Sequence, residues 1–152
     1  MENIMIGFAN VFQLSNLLVC IGGLFIGVLF GALPGFSATM AVAIFVPFTY
    51  VMEPGAALLL LSALYCGGVF GGSIPAVLVG IPGTPASAPT ALEGKALVRK
   101  GEAGRALNLV TLASCFGGFV SSVALLVCAP LLAKIAKMVG QPEQMFVAIF
   151  GL

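Results

Sequence analysis

Residues 65–94 read YCGGVFGGSIPAVLVGIPGTPASAPTALEG, and this stretch decides how the chain folds. It is mostly apolar, yet its repeated glycines and prolines do not allow one regular helix. In a bilayer, an interrupted helix is stable only where protein surrounds it or where it lines a wet cavity, because its backbone groups need hydrogen-bond partners. Interrupted hydrophobic segments of this kind are typical of transporter binding sites. We therefore predict a helix followed by a re-entrant hairpin over 55–92, with its tip near 80–85.

The composition of the whole chain is that of a membrane protein. Hydrophobic residues make up 61% and charged residues 7%, against roughly 45–50% and about 25% in soluble domains. The sequence predicts one all-α integral membrane domain over 1–152, with about four membrane-embedded segments. Because the chain has no histidine and its four cysteines are scattered, we expect no catalytic residue, metal site or cofactor. Six basic against five acidic residues, without a basic cluster, do not predict nucleic-acid binding.

Before the deciding stretch, the chain predicts two apolar helices joined by a Pro-Gly break. Residues 1–16 suit either a helix at the membrane interface or a frayed start of the first span, and residues 17–52 follow as helix, Pro-Gly and helix. Small residues at every fourth position let two membrane helices approach backbone to backbone. Two faces have this spacing and predict close helix partners: Gly23, Gly27, Gly31 and Gly35 on the first, and Gly67, Gly68, Gly71 and Gly72 on the second.

After the deciding stretch, the charged residues concentrate in one place. Residues 93–105 predict a loop, and their four basic side chains place it in the cytoplasm by the positive-inside rule. Residues 106–132 predict a transmembrane helix that ends near Pro130. The last apolar run, 145–152, is shorter than the roughly 20 residues that a spanning helix needs. We therefore expect the chain to be a truncated part of a longer protein, one that inserts into membranes without transporting by itself.

Two parts of the chain resemble each other. GALPGFSATMA (31–41) and VGIPGTPASAPTA (79–91) both contain glycine, an apolar residue, Pro-Gly and then hydroxyl and alanine residues. Repeats underlie many transporter folds, and the alternative is chance similarity. If the first Pro-Gly break lies within the membrane, the helix after it would direct its positive N-terminal end, with Ser37 and Thr39, at an anion.

GALPGFSATMAVAIFVPFTY (31–50) and residues 65–107 resemble the large permease subunit (TctA-type) of the tripartite tricarboxylate transporters. The residues that match its motifs are Pro34-Gly35, Gly71-Gly72-Ser73, Pro82-Gly83 and Gly94. The chain departs from the pattern at Gly80, where asparagine is usual, and at Glu93, where aspartate is usual. The departure at Gly80 puts a substrate or ion contact at that position in doubt, whereas Glu93 keeps the charge.

The resemblance implies an elevator-like secondary carrier. This chain would be the N-terminal part of that longer permease and would form part of one of its two halves. Its function would be carboxylate import through a bacterial inner membrane, driven by a Na⁺ or H⁺ gradient. Its partners would be a small membrane subunit and a periplasmic solute-binding protein that delivers tricarboxylates or related carboxylates. The alternatives are a channel-type or structural membrane subunit and a non-functional truncated fragment. A membrane enzyme is disfavoured because no general base has a nucleophile beside it.

Small polar residues and glycines around the breaks are the candidate substrate and ion site. No lysine or arginine lies within the apolar segments, so backbone N–H groups and hydroxyls would have to hold a carboxylate. The alternative is that these hydroxyls bond their own helix backbone and pack against neighbouring helices. The predicted site residues are Gly35, Ser37, Thr39, Gly72, Ser73, Gly80, Gly83, Thr84, Ser87 and Thr90.

Overall fold

The computed structural model describes Gly7, residues 10–138, Gly140, residues 145–146 and residues 149–150. Most of the predicted interfacial helix over 1–16 and most of the final apolar run therefore lie outside the described residues. Every regular element in the described part is helical, as predicted. The elements are α1 (Leu14–Ala32), α2 (Ala38–Thr49), α3 (Pro54–Gly71), α4 (Ser73–Leu78), a 3-10 turn (Pro85–Ser87), α5 (Ala88–Arg99) and α6 (Ala103–Met138).

Three of these helical segments are long and apolar enough to cross a membrane. They are Leu14–Ala32, Pro54–Leu78 and Ala103–Lys134, with mean hydropathies of 2.1, 1.8 and 2.1. Their large apolar side chains are widely exposed, as at Phe25 on α1 and Phe116 on α6. This pattern suits lipid contact, because a membrane protein does not need to hide its apolar surface from a bilayer. The predicted all-α membrane architecture is confirmed to this extent.

Helices α1 and α3 form the central pair, and glycines at their interface let the two backbones approach closely. Gly23, Gly27 and Gly31 are on the buried face of α1. A Cβ atom on Gly27 would overlap the carbonyl oxygen of Leu64, and one on Gly67 would lie 2.5 Å from the carbonyl oxygen of Leu24. The two backbones therefore touch, which confirms the close packing that the glycine spacing predicts. The exception is Gly35, which lies beyond the end of α1, where a Cβ atom would meet nothing within 4 Å.

Helix α2 is too short to cross a bilayer. Its 12 residues span about 18 Å at 1.5 Å per residue, against the roughly 30 Å of a hydrocarbon core. It packs on α3 through Ala38, which meets the α3 backbone at Gly68. Pro47 lies inside its last turn.

Helices α3 and α4 are separated by Gly72 alone, and their 25 residues count as one candidate span. The chain then turns over 79–84 and returns as α5, which packs against α4. Three successive N–H groups, those of Val79, Gly80 and Ile81, donate to the carbonyl oxygen of Pro75 and close the end of α4. Gly94 lies against Val77, so that α4 and α5 are in close contact. The turn overlaps the predicted hairpin tip at 80–85.

The prediction of a loop over 93–105 is wrong for most of this charged segment, which is helical. Residues 93–99 continue α5, because leucine, alanine, lysine and arginine are good helix formers. The helix ends in a Schellman motif, in which Gly101 donates to Val98 and Glu102 donates to Leu97. Gly101 has a φ of 80°, which this motif requires. Only Lys100 to Glu102 separate α5 from α6.

Helix α6 is longer than the predicted span over 106–132. It runs from Ala103 to Met138 and continues through Pro130, where the sequence predicts its end. A proline inside a membrane helix is tolerated because neighbouring groups can satisfy the freed carbonyl. Residues 1–112 and 113–152 form two compact units, and every feature of the site described below belongs to the first.

Candidate functional site

A pocket of about 270 Å³ lies where the two Pro-Gly breaks meet. Three elements build it: the start of α2, the side of α3, and the segment that follows the second break. The lining residues are Ser37, Ala38, Thr39, Tyr65, Val69, Thr84, Pro85 and Ala86. The structure thus brings together three of the predicted site residues, Ser37, Thr39 and Thr84, although 45 positions of sequence separate Thr39 from Thr84.

The first break supplies the N-terminus of α2 to this pocket. Ser37 is the N-cap, and its Oγ accepts a hydrogen bond of 3.1 Å from the N–H of Met40. The same Oγ lies 2.9 Å from Oγ1 of Thr39. Because the first N–H groups of a helix have no intrahelical acceptor, those of Ala38 and Thr39 are candidate donors to a ligand. Their direction at the start of a helix favours a negative charge.

The second break supplies Thr84, Pro85 and Ala86. Thr84 is 5% exposed and Ser87 is 2% exposed. The Ser87 Oγ donates to the Thr84 carbonyl oxygen at 2.8 Å and accepts from the Thr84 N–H at 3.2 Å. This capping box fixes the turn that holds the Thr84 side chain at the pocket wall. Ser87 supports the site without lining it.

The weak sequence repeat corresponds to a repeated local structure. Ser37 has φ and ψ of −125° and 158°, and Thr84 has −133° and 155°. Both are extended hydroxyl residues that follow Pro-Gly and open a helical segment. Both helical starts face the same pocket. An extended backbone is usual at a helix N-cap, so the similarity between the two segments is one of local geometry.

Backbone contacts between glycines set the position of Thr84. The N–H of Gly83 donates to the carbonyl oxygen of Gly72 at 3.1 Å. A Cβ atom on Gly83 would overlap the carbonyl oxygen of Gly31, and one on Gly72 would lie 2.8 Å from Oγ1 of Thr84. The ends of α1 and α3 and the hairpin turn therefore meet at three glycines. In the structure Gly72 and Gly83 act as spacers behind the pocket, and neither lines it.

The remaining predicted site residues lie around the pocket. Gly35 forms the turn before α2 with a φ of 99°. Ser73 is buried at the start of α4, and Thr90 is half-buried in the first turn of α5. Gly80 lies under the side chain of Lys95, whose Cδ would be 2.7 Å from a Cβ placed there. These four do not line the pocket.

Two lining residues on α3, Tyr65 and Val69, were missed by the sequence reasoning. They are four positions apart and therefore lie on one face of the helix. Within a long apolar helix, an aromatic side chain gives no signal that separates a pocket wall from a lipid contact. None of the described lining residues is charged, so the pocket offers hydroxyl groups, backbone N–H groups and apolar surface to a ligand.

Comparison with known proteins identifies the family. The model of the family described as tripartite tricarboxylate transporter TctA family matches residues 17–152. A protein of Agrobacterium vitis, described as an uncharacterized 52.8 kDa protein in the TAR-I ttuC′ 3′ region, is 38% identical over 151 residues. The match covers 99% of this chain and 30% of that relative, so the chain spans less than a third of the relative's length. No solved structure matches the chain. Because the family model matches most of its residues, the chain belongs to the TctA family of tripartite tricarboxylate transporters.

Proposed function

We propose that this chain contributes a carboxylate-binding pocket to a membrane permease that imports tricarboxylates or related carboxylates. The observation that carries the proposal is the meeting of the two Pro-Gly breaks at one pocket. Helix starts and hydroxyl groups from both breaks line its wall, through Ser37, Thr39 and Thr84. Discontinuous helices whose N-termini point at an anionic group are a known way to bind substrates within a membrane.

The donors around the pocket suit a carboxylate better than a cation. Backbone N–H groups can only donate, and those of Ala38, Thr39 and Ala86 stand at the first two positions of their helical segments. The hydroxyls of Ser37 and Thr39 add one more donor, because one of their two hydrogens joins their oxygens at 2.9 Å and the other can rotate toward a ligand oxygen. Since no charged side chain is among the described lining residues, a cotransported Na⁺ or H⁺ would offset the substrate's charge in this proposal.

The family resemblance extends the proposal to the whole transporter. The permease would act as an ion-driven secondary carrier of the elevator type in the bacterial inner membrane, with a small membrane subunit and a periplasmic solute-binding protein. The α4–α5 hairpin would be the re-entrant segment, in which the buried, uncharged α4 continues α3 within the membrane and the charged end of α5 lies at its surface. By the positive-inside rule, the basic residues of 95–105 favour a cytoplasmic position for that charged end. A reporter fused after Gly101 that signals from the periplasm would overturn this orientation.

Protection of introduced cysteines by citrate tests the pocket. In a chain whose four cysteines are replaced by alanine, Thr39→Cys or Ala86→Cys adds one thiol at the pocket wall. We expect a charged methanethiosulfonate reagent to label both, and citrate at about ten times its dissociation constant to slow labelling about tenfold. The measurement is the labelling rate in membrane vesicles with citrate, or with sodium chloride at equal ionic strength.

Lys100→Cys is the matched control for this experiment. Lys100 is exposed at the end of α5 and does not line the pocket. Its labelling rate should be the same with citrate and with sodium chloride. Equal rates in the two solutions at both Thr39→Cys and Ala86→Cys would contradict the proposed carboxylate site.

A further inference from the structure

We propose that Tyr65 is a specificity-determining residue whose ring limits the size of the carboxylate that the pocket admits. This inference rests on the proposed function, because it assigns a role within the same pocket. The starting observation is the uneven size of the lining side chains. Those from α2 and from the second break are small or compact, whereas Tyr65 on α3 is the largest lining side chain and the one aromatic ring among them.

Tyr65 lies on the side of α3 that faces away from α1, so its ring can limit the pocket volume without taking part in the packing of the two helices. Its neighbours Ala63 and Leu64 are 6% and 0% exposed and lie on the buried side of α3, where Gly67 contacts α1. Tyr65 itself is 51% exposed on the opposite side. The backbone that carries the ring is therefore held by the α1–α3 pair, while the ring makes one wall of the pocket.

A large aromatic side chain carried on a well-held backbone can discriminate ligands by steric fit. In close-packed sites, one extra methylene is worth about 10–200-fold in discrimination. The opposite walls cannot yield easily, because Ala38 is packed against Gly68 and Thr84 is packed against Gly72. A ligand that outgrows the pocket must then displace the Tyr65 ring. Removing that ring should relax the limit, and enlarging it should tighten the limit.

Citrate and homocitrate, which differ by one methylene, provide the probe pair. The chain carries Ala86→Cys as its single cysteine, because its four native cysteines are replaced by alanine. For each ligand, the experiment measures the concentration that halves the labelling rate of this thiol. We expect the parent chain to prefer citrate by about tenfold or more. Tyr65→Ala should bring the two values within about threefold, and Tyr65→Phe, which keeps the ring and loses the hydroxyl, should keep the parent's preference. Tyr65→Trp should weaken protection by homocitrate further.

The controls separate this inference from the proposed function. Leu58→Ala changes an exposed residue of α3 that does not line the pocket, and it should keep the parent's preference. Absence of citrate protection in the parent would overturn the proposed function and the role of Tyr65 with it. Protection in the parent with an unchanged preference in Tyr65→Ala would overturn the role of Tyr65 alone. Loss of the preference in Tyr65→Phe would equally overturn it, because the ring would then not be the selecting group.

Discussion

Replacing Gly31 with alanine is expected to separate α1 from α3 at the end that supports the pocket. A Cβ atom on Gly31 would overlap the carbonyl oxygen of Gly68 and lie 2.9 Å from the N–H nitrogen of Gly72. Both obstacles are backbone atoms, so no side-chain rotation relieves the overlap. Overpacking usually costs about 1–3 kcal/mol, and since a whole helix must move here we expect a loss of about 3 kcal/mol in the free energy of unfolding.

Gly22→Ala is the matched control for this substitution. It lies on the same helix, and a Cβ atom there would meet nothing within 4 Å. Alanine also favours a helix over glycine by roughly 0.5–1 kcal/mol, so the control should be neutral or slightly stabilising. Loss of helicity during titration with sodium dodecyl sulfate, followed by circular dichroism in mild detergent, measures the difference. Similar midpoints for the two variants would contradict the backbone contact between α1 and α3.

Gly83→Ala is expected to abolish citrate protection at the pocket while the chain remains inserted and helical. A Cβ atom on Gly83 would overlap the carbonyl oxygen of Gly31 and lie 2.8 Å from the Cα of Gly72. Because α1 is held along its length by α3 and Gly83 lies in a turn, the turn should move and take Thr84 with it. A displacement on the order of 1 Å costs about a hundredfold in rate at a preorganised catalytic site, and we expect a loss of citrate affinity of the same order here. Citrate protection of Thr39→Cys measures the loss.

The control for Gly83→Ala is Gly55→Ala, in the first turn of α3. A Cβ atom on Gly55 would meet nothing within 4 Å, so this variant should keep the parent's citrate protection. Circular dichroism checks that both variants are folded. Full citrate protection in a folded Gly83→Ala variant would show that the glycine contact does not position the pocket.

The glycine pattern shows how far spacing alone predicts a membrane fold. Glycine at every fourth position predicts a backbone-close face, and the pairing of α1 with α3 follows from two such faces. The prediction is wrong at Gly35, because α1 ends at Ala32 and the chain turns before it reaches this fourth glycine. Regular glycine spacing therefore predicts which face of a helix is packed, and it does not predict the residue at which the helix ends.

Two further predictions were wrong: the loop over 93–105 and the helix end near Pro130. Charge suggested a loop at 93–105, but residues such as Leu97 and Arg99 favour a helix wherever their side chains can reach water. Pro130 suggested a helix end, yet α6 continues past it. A membrane helix can continue through proline because neighbouring groups satisfy the freed carbonyl, and the sequence around Pro130 does not show whether such groups are present.

The sequence predicted part of the lining of this pocket. The sequence predicted Ser37, Thr39 and Thr84, which follow the Pro-Gly breaks, as site residues, and the structure places all three at one pocket. Their convergence depends on the pairing of distant helices, which no local pattern contains. Tyr65 joins them for the same reason, since the face that α3 turns toward the pocket is set by how its glycines pack on α1.

Cross-linking across the pocket tests most directly the central claim that the two Pro-Gly breaks build one carboxylate site. A chain with only Thr39→Cys and Ala86→Cys carries one thiol beside each break. A chain with Thr39→Cys and Lys100→Cys is the control, because Lys100 lies on the order of 18 Å from the start of α5 by helix geometry. We predict that a short bis-methanethiosulfonate reagent joins the first pair rapidly, that citrate slows the reaction, and that the control pair is not joined. Failure to join the two pocket thiols faster than the control pair, or joining that citrate leaves unchanged, would contradict the account.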